Sequence, residues 1–152
     1  MKLGEALITR ADLHKRLASL RERLQQNIIV QEGDSPSEDP QELISEIETT
    51  LGQIEDVAFR VNQANMRSTL GDGSTLTAAL AKRDALVAKH AAFSAALKKG
   101  QPSDQFTRYS QSEIRWVPAL SLADLQRRVD ETAAEIRQLN TSIQEANWTI
   151  EL

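Results

Sequence analysis

Four stretches of this chain carry apolar side chains at alternating steps of three and four residues, and that spacing constrains the fold more than any other feature. Leu13, Leu17, Leu20 and Leu24 set the first, which extends back through Arg10, Ala6 and Leu3 and forward to Asn27. Ile44, Ile47, Leu51, Ile54, Ala58, Val61 and Asn65 form the second. The third is Leu76, Ala79, Arg83, Leu86, His90, Phe93 and Leu97, widened by Leu80 and Val87. Leu122, Leu125, Val129, Thr132, Ile136, Leu139, Ile143, Ala146 and Ile150 make the fourth. This alternation keeps a stripe on one face of an α-helix, whereas a strand would need a period of two. Helices of about 24–29 residues reach roughly 36–44 Å at 1.5 Å per residue, and each must bury its stripe against another to be stable. The expectation is an all-α fold: an elongated antiparallel four-helix bundle with coiled-coil-like packing, in one domain spanning residues 1–152.

Local signals place the helix ends. The first helix is expected from about Leu3 to about Gln31, closed by Gly33. Asp39 reads as an N-cap, with Pro40 in the first helical position and Glu42 three residues past the cap. The second helix then runs to about Met66. Asp72-Gly73 signals a tight type I′ turn, flanked by Ser68-Thr69-Leu70 and Ser74-Thr75-Leu76, which have the makings of a very short β-ladder. The third helix is expected from about Thr75 to about Lys99, stopped by Gly100 and Pro102. Ser121-Leu122-Ala123-Asp124 resembles a capping box and opens a fourth helix that runs to about Trp148. Gln101–Leu120 is irregular. Ile114 and Trp116 alternate there with Arg115 and Val117, a pattern that would let this segment add to a small β-hairpin patch at one end of the bundle.

Charge is divided between the first two helices. Lys15, Arg16, Arg21 and Arg23 make the first one basic, while Glu32, Asp34, Glu38, Asp39, Glu42, Glu46, Glu48, Glu55 and Asp56 follow it with no Lys or Arg among them. Complementary faces of that kind favour an antiparallel hairpin, through orientation more than through stability.

The chemistry that such a chain can carry is narrow. It has no cysteine, which removes disulfides, thiolate metal sites and cysteine nucleophiles. Neither His14 nor His90 has a glutamate three residues before it, so the Glu-x-x-His pattern of di-iron bundles is absent. Gly71-Asp72-Gly73-Ser74 lacks the lysine of a phosphate-cradling loop, and no Gly-x-Ser-x-Gly elbow occurs. No metal, cofactor or catalytic residue is therefore assigned, and the chain reads as a non-enzyme. A net charge of −4 argues against a nucleic-acid partner. No apolar run is long enough for a membrane span, and no signal peptide is evident, so a membrane role is not expected and a cytoplasmic protein is.

Two groups of residues stand out. Arg10, Arg83 and His90 are polar positions on apolar seams. Buried, they would pair and fix register, or else line a pocket for a small anion. Arg108, Tyr109, Arg115 and Trp116, with Trp148 near the C-terminus, combine arginine with aromatic rings, the usual anchors of protein interfaces; the aromatic rings would otherwise cap the ends of the core.

Several runs resemble one bacterial family. They are Glu5-Ala6-Leu7-Ile8 with Arg10-Ala11-Asp12-Leu13, Val30-Gln31-Glu32-Gly33, Asp72-Gly73 with Thr75-Leu76-Thr77, Arg108-Tyr109-Ser110 with Ser112-Glu113-Ile114, and Gln144-Glu145-Ala146-Asn147-Trp148-Thr149. Together they are similar to the septicolysin-like family of small, largely uncharacterised helical proteins. The resemblance implies an all-helical chain of this length, and its name implies a pore-forming cytolysin. The residues themselves favour an oligomeric scaffold or interaction module that forms a homo-oligomer.

Overall fold

The computed structural model describes residues 1–101 and 116–152. Among these the chain forms four helices: α1 (Leu3–Asn27), α2 (Pro40–Arg67), α3 (Leu76–Gly100) and α4 (Leu122–Thr149). No strand occurs among the described residues, only two isolated β-bridges. The fold is all-α. It divides into two compact units, Met1–Leu76 with Gln144–Leu152, and Thr77–Ile143.

In the first unit α1 and α2 lie side by side. Arg16 Nη2 meets Glu46 Oε2 at 3.2 Å, and Arg23 is clamped on Glu38. Further along, Thr9 and Leu13 of α1 face Thr49–Val57 of α2. Rising positions on one helix thus meet falling positions on the other, and two basic residues of α1 pair with acidic ones of the expected acidic stretch. Leu20, Leu43, Val57 and Val61 are buried between them, and so is Thr50, whose hydroxyl donates to the Glu46 carbonyl at 2.8 Å. All the seam residues read from α1 are buried or half-buried. On α2 the stripe is turned by one residue at alternate steps. Leu43, Thr50 and Val57 occupy the buried face, and Leu51, which the heptad reading placed inside, is 46% exposed. A three–four repeat fixes a stripe only to within about one residue's rotation, and the packing against α1 chooses the row.

The α1–α2 connection differs from the expected one. α1 stops at Asn27, four residues short of the expected end at Gln31. Asn27 is buried; its Nδ2 donates to the Arg23 carbonyl and its Oδ1 accepts from the Glu38 backbone N–H, both at 3.0 Å. That side chain ties the segment before α2 to the last residue of α1. Gly33 sits six residues on in its own turn, at φ 93°, rather than closing the helix. Asp39 caps α2 as its sequence signals, accepting from Gln41 N at 2.8 Å.

The central turn also differs in type. Only Gly73 has a positive φ, 81°, and Asp72 does not, so the turn is not type I′, which needs two such residues. Gly73 N donates to Leu70 O and Leu70 N to Ser74 O, which makes a three-residue loop closed by a left-handed glycine. Asp72 Oδ1 accepts from both the backbone and the hydroxyl of Ser74, holding the loop locally. Leu76 N donates to Ser68 O and Thr69 bridges Thr75, so the ladder is one bridge long. Its expected third partner falls in part on Ile114 and Arg115, outside the described residues.

The chain ends meet in this same unit. Leu3 N donates to Ile150 O at 2.9 Å, Leu152 N donates to Met1 O at 3.0 Å, and Lys2 pairs with Glu151 across an antiparallel bridge. Gly4 lets the last turn of α4 approach, since a Cβ there would stand 3.2 Å from the Asn147 carbonyl and the Trp148 indole.

In the second unit, α3 turns Ala79 and Leu86 inward, with Arg83, His90, Phe93 and Leu97 half-buried on the same stripe. Val87, expected to widen that stripe, is 50% exposed. α4 buries Leu125, Val129, Thr132 and Ile143. Ser121 Oγ accepts from Asp124 N at 3.2 Å, as the capping-box sequence predicts. The end of α3 touches the start of α4 at Gly100, where any Cβ would fall 2.6 Å from Leu122.

Candidate functional site

α2 carries the most distinctive surface of the described chain. Its buried face, Leu43–Thr50–Val57, repeats every seven residues. Phe59 and Met66 lie on the other side, seven residues apart: Phe59 is two residues past Val57, and at 100° each that is about half a turn round the helix. Phe59 is 64% and Met66 71% exposed. Gly52 is exposed too, with nothing within 4 Å of where a Cβ would stand. The missing side chain opens onto a cavity of about 480 Å³ along the α1–α2 groove, lined by Thr9, Leu13, Thr49, Gly52, Gln53, Asp56 and Val57. Its hydroxyls are committed elsewhere, Thr9 donating to the Glu5 carbonyl and Thr49 to the Ser45 carbonyl, each at 2.9 Å. The groove therefore offers shape and apolar surface more than hydrogen bonds. Asp56, at its edge, faces Arg60 at 3.7 Å.

The electrostatics of the unit concentrate at the loop end of the hairpin. Arg23 Nε donates to both Glu38 oxygens at 3.1 and 2.9 Å, and Nη2 to Oε1. The Arg23 side-chain hydrogen bond holds the Glu38 carboxyl below the usual glutamate range and raises Arg23 in turn. This is a fastening; it presents no free charge to a ligand.

The residues picked from the sequence fall apart. Arg10 lies half-buried on α1, in the first unit, and Arg83 and His90 half-buried on α3, in the second. Arg83 Nε and Nη2 bind the neighbouring Asp84 Oδ1 at 3.1 and 2.8 Å. Arg108, Tyr109 and Arg115 lie outside the described residues. Trp116 is 81% exposed, followed by Val117 and Leu120, also exposed. Trp148, one reading of which made it a core cap, lies against Gly4 with 53% of its surface in solvent. Among the described residues no three His, Asp or Glu side chains converge as a metal site would require, and no buried side-chain polar atom is without a hydrogen bond.

Phe59 and Met66 carry no reactive or polar group. The signal that finds them is their own seven-residue spacing, opposite the seam that packs on α1.

No curated protein matches the chain. A crystal structure of a functionally unknown conserved protein from Corynebacterium diphtheriae is similar to it, at 36% sequence identity and a TM-score of 0.88, covering 100% of this chain and 98% of that one. The profile of DUF6847, a family of unknown function, matches residues 10–152, and the chain belongs to that family.

Proposed function

We propose that this protein is a non-enzymatic, cytoplasmic interaction module that works by self-association, its helices forming an antiparallel four-helix bundle. The observation that carries the reading is the exposure of Phe59 and Met66 on the outer face of α2. Large apolar side chains scattered singly on a surface are ordinary, but an aligned set marks an interaction site. α1 covers the inner face of α2, and another chain covers Phe59 and Met66 on its outer face. The septicolysin-like resemblance enters this reading as kinship of fold, not of activity. No helix of the described residues is long and apolar enough to cross a membrane.

Sedimentation equilibrium of the full chain from about 1 to 100 μM tests the reading. The expected result is a reversible, concentration-dependent oligomer. A single monomeric mass over the whole range would overturn it.

A further inference from the structure

We draw no further inference here: the strongest candidate, the exposed apolar patch of Ile28, Ile29 and Val30 in the α1–α2 loop, followed by the exposed carboxylates of Glu32 and Asp34, has no partner, and nothing in the structure shows what covers it.

Discussion

Asn27→Ala tests whether one buried amide closes the α1–α2 hairpin. The side chain is 8% exposed and makes two hydrogen bonds. Loss of its Oδ1 leaves the part-buried Glu38 N–H without a partner, which costs about 1–3 kcal/mol. Loss of its Nδ2 bond to the Arg23 carbonyl costs about 0.5–1 kcal/mol more. Alanine's better helix propensity returns up to about 0.7 kcal/mol. The net expectation is a destabilisation of about 1–3 kcal/mol. With a urea m-value near 2 kcal/mol/M, the midpoint followed by far-UV circular dichroism should fall by about 0.5–1.5 M. Amide exchange supplies the local reading: protection at Glu38 should drop at least about tenfold, the equivalent of 1.4 kcal/mol. An unchanged midpoint together with retained Glu38 protection would refute the reasoning, because the loop would then be closing on something other than Asn27.

Two further outcomes follow from local geometry. Glu38 is held below the ordinary glutamate range by the Arg23 side chain, so its contribution to stability is complete above the unfolded value of about 4.3 and is lost as pH falls through the lower, folded value. Unfolding midpoints measured from pH 7 down to pH 2 should show this loss, and Glu38→Gln should flatten that part of the profile; an unaltered profile would mean that other carboxyls carry it. Gly73 sits at φ 81° and Gly71 has no positive φ and open space around it. Gly73→Ala should therefore destabilise by about 1 kcal/mol, while Gly71→Ala should be neutral or stabilise by up to about 1 kcal/mol; equal effects in thermal unfolding would contradict the three-residue loop.

The sequence made the helices legible because periodicity and capping act locally. The seams of α1 and α4 name residues that are all buried or half-buried, and Asp39 and Ser121 accept from the backbone N–H groups their positions predict. What failed depended on partners far along the chain. Asn27 looks like an ordinary late position on a heptad, yet it is the last residue of the helix, and Glu38, eleven residues on, donates to its side chain. Asp72-Gly73 has the composition of a type I′ turn, but the Asp72 carboxylate, by accepting from Ser74, favours a different loop. Leu51 and Thr50 are neighbours in one repeat, and only contact with α1 decides that the threonine goes inside. The hydroxyl costs little there because it returns to the Glu46 carbonyl of its own helix.

The candidate site was hidden for a different reason. A search for function in sequence looks for polar atoms at reactive spacing, and on these helices such atoms are spent on structure: Arg23 on Glu38, Arg83 on Asp84, Asn27 on the loop. What is left unspent on α2 is apolar. Leaving a phenylalanine and a methionine largely in water forgoes on the order of 1.5–3 kcal/mol for each, and polar residues at both positions would have removed that loss without disturbing the face that packs on α1. The loss is recovered only if something covers them. In the self-association reading, the partner that covers Phe59 and Met66 supplies the burial they lack, and substituting both with polar residues should abolish the concentration dependence of the mass without lowering the unfolding midpoint.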